Sequence, residues 1–337
     1  MSLAGVTLLI KTIMASVLLT QAQAQVPVIR IDGSSTVFPI TEAMAEDFQT
    51  MVRGKVRVTV GVSGTGGGFK KFCRGETDIQ DASRPIQQKE LEACRAKGVK
   101  FIEIPIAFDA AAIVVSTKNT WIQQISIPEL KKIWSPDAQG KIKKWSDVNP
   151  AWPQERLNLY GPGSDSGTFD YFTEAVVGKA HSSRGDYTAS QDHNVTVAGV
   201  TQDKWALAYI PLSYYEENKS KLKVLGLIGG EKSPKKSEPV LPSRETVETG
   251  VYFPLSRPIF IYVNEASLNK QWVAQFVKYY LKEAPRIVPE VKYVPLPAKA
   301  YEMGLSRVQG KKLGTVFGGH SEIGLKLDEL LNREGSL

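Results

Sequence analysis

Small hydroxyl and glycine residues crowd into four short stretches of this chain: "DGSSTVFP" (32–39), "GVSGTGGGF" (61–69), "DASRPI" (81–86) and "YGPGSDSGTFDYF" (160–172). Glycine lets backbone approach backbone or a bound group, and serine and threonine add compact hydroxyls that both donate and accept. The first, second and fourth stretches run directly into helical patterns, and a helix N-terminus gathers unpaired amides and about half a positive charge. That combination favours an oxyanion. Taken singly, each serine or threonine is an N-cap and each glycine a turn. Four such stretches in one topological position point instead to a donor-rich pocket for a small anion.

The elements around them set that position. "VIRI" (28–31), "VRVTVGV" (56–62), the segment ending in "DAS" (81–83) and "LNLY" (157–160) read as strands, each leading into one of the four loops. "PITEAMAEDFQTMV" (39–52) and "LNKQWVAQFVKYYLKE" (268–283) have helical periodicity. "WALAYI" (205–210) and "RPIFIYV" (257–263) read as further buried strands, and "KFIEIPIAFDAAAIVVS" (100–116) as two strand segments broken near Phe108 and Asp109. Alternating strands and helices predict an α/β fold with largely parallel sheets, which binds ligands beyond the strands' carboxyl ends. A chain of 337 residues exceeds what one core usually serves, so two domains are expected. The tetrapeptide "SRPI" occurs at 83–86 and again at 256–259, a match short enough to arise by chance.

Composition narrows the partners. Residues 1–24 place Lys11 before an apolar run and end in "AQA", the order of a cleaved secretory leader. Export would let the two cysteines, Cys73 and Cys94, form one disulfide. The formal charge of +7, or +6 once Lys11 leaves with the leader, suits an anionic partner. Nothing resembles a nucleic-acid-binding motif, the "GTGGGF" run lacks the last glycine of a dinucleotide fingerprint, and no P-loop is present. Three histidines (His181, His193 and His320) have no metal-ligand spacing, and no nucleophile elbow occurs.

The ordered set "DGSSTVFPITEAM", "GVSGTGGGFKKFCRGETDI", "ASRPI", "YGPGSDSGTFDYF" and "FPLSRPIFIYVN" resembles the periplasmic phosphate-binding proteins of phosphate ABC importers, most of all the cyanobacterial-type branch. The resemblance spans about residues 28–310. It implies a two-lobed periplasmic-binding-protein (type II) fold: two mixed, largely parallel sheets joined by two hinge strands, with lobe I at 26–107 plus 257–337 and lobe II at 108–256. It also implies a soluble periplasmic monomer without cofactor or metal, which binds inorganic phosphate and delivers it to ABC permease subunits. A phosphate sensor without a transporter and an exported phosphoesterase are the alternatives. The ligand residues carried over are Thr36 and Val37 in the first loop, Thr65 in the second, and Ser166, Gly167 and Thr168 in the fourth. Ser83 stands where the better-known branch has an aspartate, and Pro162 where it has an arginine. Arg84 is therefore expected to supply the ligand's cation, and Arg257, opening a crossover strand, is expected to be structural. Asp32, Asp81 and Asp165 lie close enough in sequence to replace the missing proton acceptor.

Overall fold

A computed structural model describes residues 26–320 and 327–336; the leader expected at 1–24 lies outside them. The first half of the chain alternates β1 (Val28–Gly33), α1 (Phe38–Met51), β2 (Arg57–Gly61), α2 (Thr65–Phe72), β3 (Ile79–Ala82) and α3 (Gln88–Ala96). Strand β1 pairs in parallel with both β2 and β3, so the loops after all three open on one edge. Helix α1 forms because Ile40, Met44 and Phe48 recur at helical spacing and bury against the sheet.

Strand β4 (Phe101–Ser116) is a single run of sixteen residues, all buried, not the two segments its sequence suggested. A strand covered on both faces reads as a continuous apolar run, and here that run extends through Phe108 and Asp109 without a break. What changes near that point is its partner. Residues Phe101–Ala110 pair antiparallel with β9 (Ser256–Asn264), and Ala111–Val114 pair with β7 (Ala206–Pro211). Beyond β7 the order continues to β5 (Asn158–Pro162) and β6 (Thr188–Ser190), both parallel to their neighbours. Strand β8 (Leu222–Val224) pairs with the end of β4. The two sheets are thus joined into one ladder through β4 and β9, and the strands that link them are antiparallel.

Helix α4 (Gly167–Phe172) follows β5, and α5 (His193–Gln202) follows β6. Helix α6 (Gln271–Glu290) runs past the expected end at Glu283 and through Pro285 and Pro289. Ala284, Ile287 and Val288 are buried in that last stretch, and this packing outweighs the preference of proline to end a helix. No helix among the described residues is long and apolar enough to cross a membrane.

A disulfide joins Cys73, at the end of α2, to Cys94 in α3. It ties α3 to α2, whose first residue is Thr65. Replacing both cysteines with alanine should lower the unfolding free energy by about 3 kcal/mol on the chain-entropy model. Urea titration will show this as an earlier midpoint. An unchanged midpoint would mean that packing alone fixes the two helices.

Candidate functional site

The loop after β1 turns through Ser34, Ser35 and Thr36 into α1. Ser34 Oγ accepts from the Thr36 amide at 3.1 Å and more weakly from the Val37 amide at 3.4 Å. It donates to Ser83 Oγ at 2.9 Å. Thr65 opens α2, and its Oγ1 accepts from the Ser83 amide and lies 3.2 Å from Ser83 Oγ. Gln80 straps these loops together, donating to the Thr65 and Asp81 carbonyls. The first three loops are therefore one hydrogen-bonded unit.

The fourth loop comes from the other half of the molecule. Ser166 caps α4, its Oγ accepting from the Thr168 amide at 3.2 Å. Thr168 Oγ1 meets Thr36 Oγ1 at 2.7 Å across the seam. Gly167 lies so close that a Cβ there would sit 2.4 Å from Ser83 Oγ and 2.6 Å from Thr65 Oγ1. Gly64, with φ +76°, presses as tightly on the Asp165 carbonyl, where a Cβ would come within 2.2 Å. Glycine at both positions is a condition for the halves to meet. Thr36, Thr65, Ser83 and Thr168 are all fully buried.

The two arginines have different partners. Arg257 Nη2 donates to Thr168 Oγ1 at 2.7 Å and Nη1 to the Gly167 carbonyl at 2.6 Å. It stands opposite Asp109 in the β4–β9 ladder, 3.3 Å from that carboxylate. Burial pushes Asp109 up to about 6, with Arg257 opposing the rise. Arg84, by contrast, donates to both Glu90 oxygens at 2.8 and 2.9 Å, to Asp170 Oδ2 at 2.5 Å and to the Pro85 carbonyl. A guanidinium has five N–H groups in a fixed fork; in this arrangement those of Arg84 serve carboxylates and backbone. Arg257 is the guanidinium bonded to the hydroxyl set.

None of the three nearby aspartates joins that set. Asp32 accepts from Ser63 and Lys71. Asp81 is buried, and burial raises its pKa well above the usual carboxylate value, opposed by Thr41 in the core of the first half. Asp165 is exposed beside Lys70. Sequence reading passed over Ser34, which bridges two loops. It also passed over His193, whose Nε2 lies 3.3 Å from Ser35 Oγ across the seam. The spacing of His193 from the loops carried no signal, because β6 and α5 deliver it through the fold.

Chemically, the cluster offers several hydroxyl donors, short runs of amides at two helix starts and one guanidinium. This is the inventory for an oxyanion held without covalent chemistry. Ser35 and His193 superficially resemble a nucleophile and its base. Burial holds His193 down at about 3, and its Nδ1 has no hydrogen-bond partner among the described residues. A catalytic histidine needs a pKa near the working pH and a group that orients it. Among the described residues no group of three His, Cys, Asp or Glu side chains is placed to hold a metal ion.

Known proteins share this architecture. A family model of the PBP superfamily domain matches residues 20–284. The chain is 48% identical over 315 residues to the protein SphX of Synechococcus elongatus, covering 94% of this chain and 91% of that one. It is 38% identical over 294 residues to the phosphate-binding protein PstS of Staphylococcus saprophyticus, covering 86% of each. The crystal structure of a possible phosphate-binding protein from Planctomyces limnophilus superposes with a TM-score of 0.63 at 44% identity, over 84% of this chain and 98% of that one. A phosphate ABC transporter substrate-binding protein from Clostridium perfringens, solved with bound phosphate, gives 0.64 at 25% identity, over 80% and 99%.

His193 sets a pH dependence of stability. In the unfolded chain it takes a proton near its ordinary 6.5, and in the folded protein only near 3. Between those values the unfolded state binds more protons, so stability falls as pH drops below about 6.5. In urea titrations at pH 5 and pH 7.5, His193→Asn should lose less stability on acidification than the unsubstituted protein. Equal losses would show that His193 titrates normally in the fold.

Proposed function

Because the chain belongs to the phosphate-binding proteins of the PBP superfamily, with SphX and PstS among its relatives, we propose that it is an extracytoplasmic receptor. In this reading it captures inorganic phosphate between two lobes and hands it to a membrane ABC importer. The observation that carries this reading is the convergence of hydroxyls from both halves on one buried spot beside Arg257.

Among the described residues, the lobes in this reading are 26–107 plus 257–320 and 327–336, and 108–256. The exchange of β4's partner between Ala110 and Ala111 supports a crossover there. Thr36 and Val37 contribute amides at the start of α1, Thr36 also its hydroxyl, and Thr65, Ser83, Ser166, Gly167 and Thr168 supply the remaining donors. Arg257 takes the role that sequence reading gave to Arg84. Each hydroxyl that now bonds a neighbouring hydroxyl turns its proton to an anion oxygen, and such charge-assisted bonds are about twice as strong as neutral ones. Closure follows because each lobe supplies part of the cage and gains its bonds only when both are in place. The poor credentials of His193 as a base argue against a phosphoesterase.

Selectivity rests on Ser83. A carboxylate can only accept and so turns away an unprotonated oxyanion, whereas a serine accepts from phosphate or donates to sulfate. No carboxylate was found bonded to the hydroxyl set among the described residues; Asp109 approaches it only through Arg257.

Calorimetric titration of the mature protein with inorganic phosphate should show saturable binding at one site. Excess sulfate should weaken it measurably, and a phosphate isotherm unmoved by sulfate would show that a group other than Ser83 turns sulfate away. No heat with phosphate would overturn the proposed function. Arg257→Ala should cost about 1.5–3 kcal/mol in phosphate affinity, the scale of a hydrogen bond to a charged group, and unchanged affinity would return Arg257 to a purely structural role.

A further inference from the structure

Arg84 and Asp170 form a buried ion pair that spans the seam. Their side chains are 2% and 3% exposed. Arg84 follows β3 in the first half, and Asp170 lies on α4 in the second, two residues beyond Thr168. Glu90 fixes the arginine from behind. It sits at the third position of α3, accepts from the Gln87 amide at 2.8 Å, and grips both Arg84 terminal nitrogens. Phe69 packs against the guanidinium, with 5.8 Å to the ring centroid. On the far side His181 Nδ1 lies 3.1 Å from Asp170 Oδ1. A cavity of about 270 Å³ opens over this network, lined from one half by Gly66, Lys70, Arg84 and Glu90 and from the other by Asp170 and His181.

We propose that Arg84 is a positioning residue: through Asp170 it clamps α4, and with it Ser166–Thr168, onto the anion once the lobes close, without itself touching the anion. The inference rests on the phosphate-receptor reading. Arg84 stays in register with Glu90 whether or not the other half is docked, because both belong to the first half. Only its Nε depends on docking. Asp170 is buried in the closed arrangement, with His181 of its own half at 3.1 Å, and the pairing it gains on docking is the one with Arg84 at 2.5 Å. A slightly misplaced closure therefore leaves a buried carboxylate poorly paired, and the correct closure is held. Such a clamp acts on escape rather than capture, because losing one partner of a buried charge pair chiefly changes the dissociation rate.

The test is a double-substitution cycle on the mature protein with inorganic phosphate, read by stopped-flow association and dissociation. Phosphate binding by the unsubstituted protein is measured first, so a failure of the receptor reading is seen separately. Asp170→Asn should raise the dissociation rate at least about tenfold with the association rate within about twofold. Arg84→Gln should do the same, and the double variant should be little worse than either. Asp170→Glu, which keeps the charge, should restore part of the slow dissociation, and it serves as the folded comparison if Asp170→Asn does not fold. The proposal is overturned if Asp170→Asn leaves dissociation unchanged. It is equally overturned if Asp170→Glu behaves as Asp170→Asn, or if the two effects multiply in the double variant, as they would if Arg84 bound the anion directly.

Discussion

Arg257 faces Asp109 across the β4–β9 ladder, next to the point where β4 leaves one partner for another. A charge cannot be buried at a crossing between two halves unless it is paired, and an ion pair on two adjacent strands fixes their register as well. The pair does not satisfy all of Arg257. Its remaining terminal donors reach over the seam to the Gly167 carbonyl and the Thr168 hydroxyl, so the residue that anchors the linking strands also draws the second half onto the first. Tyr171 stacks near the same guanidinium and places its hydroxyl within bonding distance of the Pro254 and Ser256 carbonyls. The start of α4 is thereby bound to β9 through both side chain and backbone.

Why hydroxyls and not stronger groups line the seam follows from the same cost of burial. Lysines would leave donors without acceptors when the halves meet, and aspartates would leave acceptors without donors. A hydroxyl is both. Ser34, Ser83 and Thr65 satisfy one another within the first half, and Thr36 and Thr168 do so between the halves. These hydroxyls are thereby satisfied in the closed seam, and in the proposed reading the same protons turn to an anion by rotation about Cβ–Oγ bonds. Gly64 and Gly167 make that seam possible by removing the side chains that would hold the backbones apart.

Much of this was legible in the residues. The loops at strand ends were visible because hydroxyl and glycine clustering is local, and the disulfide because export and an even cysteine count constrain each other. The continuity of β4 was not. Asp109 in an apolar run looks like a break until its partner, Arg257, is known, and that partner lies well over a hundred residues away. Helix α6 was read as too short for a similar reason: Pro285 argues for a stop, and the burial that overrides it depends on tertiary packing. The partners of the two arginines were not legible, because sequence shows a side chain's type but not which carboxylates the fold brings to it.

The repeated "SRPI" brings that last point into focus. Both copies place a serine at the seam's edge and a buried arginine behind it, and both arginines end on the same short helix, α4. Their surroundings separate them. Arg84 lies in a loop six residues before Glu90, whose place in the first turn of α3 makes a bidentate partner unavoidable, and its one outward N–H finds Asp170. Arg257 is the second residue of β9, with a single carboxylate opposite, at the longer distance of 3.3 Å. Two carboxylates hold the first guanidinium, while the second has one, and its remaining terminal N–H groups go to the Gly167 carbonyl and the Thr168 hydroxyl. In the proposed receptor reading it is therefore the tetrapeptide's second copy that places N–H donors on the hydroxyl set.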